Sequence, residues 1–124
     1  MNFDKDLQSI QEARNLTETA KAAQMEFKYF NQDQVDKIIK SMADAGFKEA
    51  ERLAKLATEE TGFGNLNDKT IKNQFGTKNV YESIKNLKTV GVISVEKNGK
   101  IVKIAEPMGV VAALIPSTNP TSTA

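Results

Sequence analysis

The residues best suited to chemistry lie together late in the chain, in Pro116-Ser117-Thr118-Asn119-Pro120-Thr121-Ser122-Thr123. Hydroxyls and a side-chain amide are groups that orient a ligand by hydrogen bonding. They follow Gly109-Val110-Val111-Ala112-Ala113-Leu114-Ile115, a continuous apolar run of strand length. Strands apolar on both faces are buried on both faces, as in parallel sheets covered by helices. Ligands of open α/β sheets bind just past the carboxyl ends of such strands. The loop from Pro116 therefore stands where a site belongs. Asn119 also has a purely structural reading. Asn before Pro starts turns, because its side chain bonds to nearby backbone and its own backbone is restricted.

Other chemistry is excluded or weak. The chain has no cysteine and no histidine. That rules out a disulfide, a zinc site of the usual kind, and Ser/His/Asp or Cys/His catalysis within these residues. Glu59 and Glu60 are a pair of carboxylates, but at this position they read as a solvated helix end. Gly62-x-Gly64 is not a dinucleotide fingerprint, since no strand precedes it and the third glycine is missing. Lys69, Lys72 and Lys78 could meet phosphate; with no glycine-rich loop beside them they read as a solvated lysine face.

Composition narrows the class. The 124 residues fit one ordinary domain, with 40% hydrophobic and 27% charged residues and a formal charge of +1. No basic patch interleaved with aromatics points to nucleic acid. No apolar run approaches the roughly 20 residues of a membrane span, and the N-terminus lacks the form of a secretory signal. A cysteine-free chain fits a cytoplasmic setting.

The elements that must position the loop come before it. Residues 4–29 read as one helix, with Phe3, Leu7, Ile10, Ala13, Leu16, Ala20, Ala23, Phe27 and Phe30 on a stripe. Asn31, with Gln34 reaching back, starts a second helix. Val35, Ile38, Ile39 and Met42 form its buried face, and Gly46 is its natural end. A third helix spans about Lys48 to Glu60, with Leu53, Ala54, Leu56 and Ala57 inward, and Gly62 closes it. Asn67 or Asp68 caps a fourth running to about Asn86, with Ile71, Phe75, Val80 or Tyr81, Ile84 and Leu87 as its apolar contacts. The period changes at Thr89. Val90, Val92 and Ile93 begin a strand, and Lys97-Asn98-Gly99-Lys100 signals a two-residue type I′ hairpin. Ile101 to Ala105 returns, with Val102 and Ile104 on one face, and Glu106-Pro107 breaks the strand.

Several of these segments, in order, carry a likeness. Glu106-Pro107-x-Gly109, the apolar run and Pro116-x-Thr118-Asn119-Pro120-Thr121 resemble the CoA-acylating branch of the aldehyde dehydrogenase superfamily. Gln32-x-Gln34-Val35-Asp36-Lys37-Ile38, Glu59 to Gly64, Asp68-Lys69, Lys72-Asn73 and Lys88 to Ile93 are similar to it too. The likeness runs from about Ala13 to the last residue. It implies conversion of an aldehyde, NAD and coenzyme A to acyl-CoA and NADH through a cysteine nucleophile, which must then lie beyond Ala124. It implies that Asn119 donates its side-chain amide to the oxyanion, a contribution of roughly 10²–10³ in rate. Thr118 stands where the wider superfamily has an aromatic residue, as in the acylating branch. The resemblance further implies that Ile115, Pro116, Ser117 and Thr118 lie along the NAD cofactor, mostly through backbone. It implies as well that the hairpin Thr89–Ala105 pairs with another subunit of a homo-oligomer. Some relatives carry an N-terminal extension that targets a protein-shelled microcompartment; the residues before Ala13 read more simply as a solvated helix start.

The expected fold is α/β. Residues 1–88 form a helical N-terminal segment, 89–107 a β-hairpin oligomerisation arm, and 108–124 the start of a Rossmann-like NAD-binding domain, with Thr121–Ala124 as the first turn of a helix. The chain is expected to be a piece of a larger enzyme, acting on a small aldehyde or acyl-CoA with no nucleic acid or membrane partner. The rival reading is a non-catalytic helical interaction module, or an inactive fragment docking through its apolar C-terminal strand.

Overall fold

The computed structural model describes residues 4–123. They fall into two compact units: residues 4–31 with 89–112, and residues 32–88 with 113–123.

In the first unit, α1 spans Lys5–Phe27. It starts at Asp4, whose backbone is extended, and closes through bonds from the Lys28 amide to the Gln24 carbonyl and from the Phe30 amide to the Phe27 carbonyl. Phe3 of the expected stripe lies outside the described residues. The rest of the stripe is real in spacing but not in burial: no residue of α1 is buried, and Leu7, Ile10 and Leu16 are exposed.

The hairpin forms as β1 (Gly91–Glu96) paired antiparallel with β2 (Ile101–Ala105). The ladder ends at Glu96 opposite Ile101, so the connection is Lys97–Lys100 and longer than the two-residue loop expected. The cause is Lys97, whose φ of 51° leaves the extended region before the turn residues Asn98 (55°) and Gly99 (85°). The register slips between Val92 and Ser94, so Ile93 is an extra residue of the bulge kind, which raises local twist. A Glu96–Lys103 ion pair crosses the strands.

The apolar run behaves differently from its sequence pattern. Residues 109–115 join no ladder among the described residues, and Val111 and Leu114 are 70% and 98% exposed. A parallel strand draws every backbone bond from neighbouring strands, and the described residues supply only the hairpin. The burial expected on both faces is therefore not met within this chain.

The second unit is helical. α2 spans Gln32–Lys48 and α3 spans Ala50–Thr61, with Gly62 closing α3 at φ 71° as expected. Gly46 does not end α2. It sits inside the helix, where an added Cβ would lie 2.6 Å from Thr77 Cγ2. Its role is close approach between helices, not a left-handed cap. Val35, Ile38 and Ile39 are half-buried, but Met42 and Leu56 are exposed.

The core of this unit is small. Ala50, Ala54 and Ala57 recur at i, i+4 and i+7 and are the buried apolar residues described. Their short side chains let α3 lie against α4, Leu66–Gln74. The cap of α4 is Asn65, not Asn67 or Asp68: its side-chain oxygen accepts from the Asp68 amide at 2.9 Å, and its amide donates to the Asp68 carboxylate at 2.7 Å. The expected long fourth helix is interrupted by a π-helical segment, Phe75–Asn79, before α5, Val80–Ile84. Thr77 explains part of this, since its hydroxyl bonds back to the Asn73 and Gln74 carbonyls and competes with the regular ladder. Of its expected apolar contacts, Ile71, Phe75, Val80, Ile84 and Leu87 are exposed, and Tyr81 is half-buried. The buried residues of α4 are Lys69 and Asn73 instead.

Candidate functional site

The face of α4 that carries Lys69, Lys72 and Asn73 has i, i+3, i+4 spacing, so one stripe presents two ammonium groups and an amide. All three reach the loop 116–123. Lys69 is 5% exposed, and its Nζ donates to the Thr118 carbonyl at 3.2 Å. Its stem lies against Gly64, and its burial contradicts the solvated face expected of it. Burying an ammonium is costly unless it is hydrogen-bonded, and the loop carbonyl provides that bond. Lys72 is on the surface, and its Nζ donates to Asn119 Oδ1 at 2.6 Å. Lys78 takes no part; its ammonium sits over the Phe47 ring at 5.2 Å.

Asn73, 4% exposed, ties three pieces together. Its amide donates to the Ala50 carbonyl of α3 at 3.0 Å, and its oxygen accepts from the Thr121 hydroxyl at 2.8 Å. Below it, Gly76 leaves room for the chain at Ser122, whose carbonyl would lie 3.6 Å from an added Cβ.

The loop has its own order. The Asn119 amide N–H of the main chain donates to the Pro116 carbonyl at 3.1 Å, closing a turn over Pro116–Asn119. Asn119 Nδ2 donates to Thr118 Oγ1 at 3.2 Å. Asn119 is thus a turn residue in the described structure, half-buried, and its side-chain oxygen is occupied by a donor that can only donate. Its Nδ2 carries two N–H groups, of which one meets Thr118. Ile115, Pro116, Ser117 and Thr118 are exposed, and the backbone ahead of the turn is open on this chain's surface. The structure therefore brings Thr118 and Asn119 onto α4. Glu59 and Glu60 are exposed at the end of α3, and Lys55 pairs with Glu59 there. Among the described residues no group of His, Cys, Asp or Glu is arranged to hold a metal ion, and no helix is long and apolar enough to cross a membrane.

Sequence reasoning missed the contacts of Lys69, Lys72 and Asn73. The available signal was their common stripe, opposite the alanine stripe of α3, on a helix followed at a distance by a polar loop.

Comparison with known proteins shows the family. The aldehyde dehydrogenase family profile matches residues 6–124. The bifunctional aldehyde-alcohol dehydrogenase AdhE of Escherichia coli (strain K12) is 42% identical over 116 residues, covering 94% of this chain and 13% of that protein. The succinate-semialdehyde dehydrogenase (acetylating) of Clostridium kluyveri is 40% identical over 110 residues, covering 89% of this chain and 24% of that one. The crystal structure of an acetylating aldehyde dehydrogenase from Geobacillus thermoglucosidasius superimposes with a TM-score of 0.93 at 56% identity, covering 98% of this chain and 27% of that chain. The chain thus spans about an eighth to a quarter of the length of the relatives it matches. The matched region lies in the N-terminal part of acetylating enzymes. On a profile match over nearly its whole length, the chain belongs to the aldehyde dehydrogenase family.

Proposed function

We propose that this chain forms the N-terminal part of a cytoplasmic CoA-acylating aldehyde dehydrogenase, which converts an aldehyde, NAD and coenzyme A to acyl-CoA and NADH. The nucleophilic cysteine is supplied from outside these residues, since none of them is cysteine. The observation that carries the reading is the state of the Asn119 side chain. Its oxygen is taken by Lys72, so the amide nitrogen is the part left to act on a ligand. A donor held in place before charge develops stabilises an oxyanion without reorganisation. Asn119 is the proposed oxyanion donor.

NAD accepts hydride when bound. The residues here suit contact with it through backbone: Ile115 to Thr118 are exposed, and the turn at Asn119 leaves the main chain before it accessible. In this reading residues 108–124 are the start of the NAD-binding domain, 1–88 the helical N-terminal segment, whose α4 holds the loop, and 89–107 an arm. The exposed apolar side chains of β1 and β2, including Val95, Val102 and Ile104, support pairing of that arm with another subunit of a homo-oligomer.

The test is acetyl-CoA-dependent NADH oxidation by the full-length protein and its Asn119→Ala variant. Turnover in the variant is expected to fall by roughly two to three orders of magnitude, with little change in NADH affinity. An unimpaired variant would return Asn119 to a turn-forming role. Inactivity of both proteins would overturn the enzymatic reading and favour the interaction module.

A further inference from the structure

We infer that Lys72 is a positioning residue for Asn119, setting which end of the Asn119 amide faces the reacting centre; the inference rests on the reading of Asn119 as oxyanion donor. An asparagine side chain is nearly symmetric in shape, and rotation by half a turn exchanges acceptor and donor. Flipped, Asn119 would present oxygen to an oxyanion and repel it. The choice between the two states must be made by neighbours.

Thr118 cannot make it. Its hydroxyl both donates and accepts, so it would satisfy either face of the amide from its place 3.2 Å away. The Pro116 carbonyl is occupied by the Asn119 main-chain amide. Lys72 can make it, because an ammonium has three donors and no acceptor. At 2.6 Å from Oδ1 it is compatible with the oxygen and incompatible with the NH₂ group. The same bond is charge-assisted, which makes it stronger than a neutral one and draws electron density toward the oxygen, leaving the N–H groups better donors.

The rest of the site keeps this lysine in register. Lys69, one turn earlier on the same stripe, holds the Thr118 carbonyl, and Asn73 holds Thr121. Asn119 is therefore fixed from the preceding residue and from two residues on, while Lys72 holds its side-chain oxygen and Thr118 meets its amide nitrogen. Among the described residues neither lysine is in an ion pair with a carboxylate, so the positive charge beside the loop is not neutralised. Lys72 reaches the site from the exposed side of α4, so its removal need not disturb the buried Lys69–Asn73 contacts.

The experiment is a double-mutant cycle in the full-length enzyme, using Lys72→Met, Asn119→Ala, the double variant and Lys72→Arg, with acetyl-CoA and NADH as substrates. Lys72→Met keeps the stem and removes the donors. It is expected to lower kcat by about tenfold to a hundredfold, the scale of a misplaced catalytic group, with KM for NADH nearly unchanged. In the Asn119→Ala background the same change is expected to have almost no further effect, because the group it orients is gone. Lys72→Arg, also a donor without an acceptor, is expected to recover most of the loss. Independent, multiplicative losses would overturn the inference while leaving Asn119 as donor, as would an undiminished Lys72→Met. A fully active Asn119→Ala would overturn both. Should Lys72→Met unfold, the activity of Lys72→Arg against Lys72→Gln decides: equal kcat values overturn the inference, and retention by Arg alone supports it.

Discussion

At the scale of residues, the site depends on polar groups that are buried but satisfied. Asn73 is the clearest case. It is a buried polar side chain near the end of α4 that bonds to the first residue of α3, and both its amide nitrogen and its oxygen are used. Asn73→Leu keeps the number and branching of side-chain heavy atoms and removes both bonds, leaving the Ala50 carbonyl and the Thr121 hydroxyl without that partner. A cost of about 2–3 kcal/mol is expected in denaturant unfolding. Turnover should fall as well, since Thr121 would no longer hold the loop. Loss of activity without loss of stability would instead place Asn73 in contact with the substrate. Lys69 makes the complementary point. Nothing in the net charge of +1 or in the mixed signs of the chain predicts its burial. The reason is the Thr118 carbonyl, contributed by a residue 49 positions away.

At the scale of elements, the π-helical segment and α2 meet too closely for ordinary side chains. Gly46 is a poor helix residue, and alanine there would be favoured by about 1 kcal/mol on propensity alone. The 2.6 Å approach to Thr77 Cγ2 reverses that preference. Gly46→Ala is expected to destabilise by about 1–3 kcal/mol, the range for overpacked sites. Thr77→Ser removes the offending methyl and keeps the hydroxyl that bonds to Asn73 and Gln74. Combined with Gly46→Ala it should restore most of the loss, and equal thermal midpoints for the single and double variants would contradict the packing argument. The cap of α4 was within reach of sequence reasoning. Asn65-x-x-Asp68 has the spacing of a capping box, and Asn65→Ala is expected to cost about 1 kcal/mol.

At the scale of the whole molecule, the described chain exposes much that its patterns mark for burial. Leu114, Val111, Met108 and the apolar side chains of the hairpin all face solvent. Contiguous exposed apolar surface drives association, and unpaired strand backbone adds a template for it. The 124-residue polypeptide alone is expected to associate in sedimentation experiments as concentration rises, and Leu114→Lys with Val111→Lys should shift it toward the monomer. A concentration-independent monomer with a sharp, reversible unfolding transition would contradict this.

The division between what was legible and what was not follows from the range of the forces involved. Local signals placed four helical stretches, the Gly62 stop and the hairpin near Asn98-Gly99, because caps, positive φ and periodicity are decided within a few residues of sequence. Spaced motifs from Gln32 to Thr121 likewise carried the family, since their order survives in the chain itself. The identity of the buried face of α4 did not follow. Periodicity favoured Ile71 and Phe75, yet Lys69 and Asn73 are inside, because the alanine stripe of α3 and the returning loop 116–123 offer partners to a polar stripe and little to a bulky one. The close approach of Gly46 to Thr77 and the grip of Lys72 on Asn119 have the same origin. Each joins residues far apart in sequence, and only the tertiary structure brings them within bonding distance.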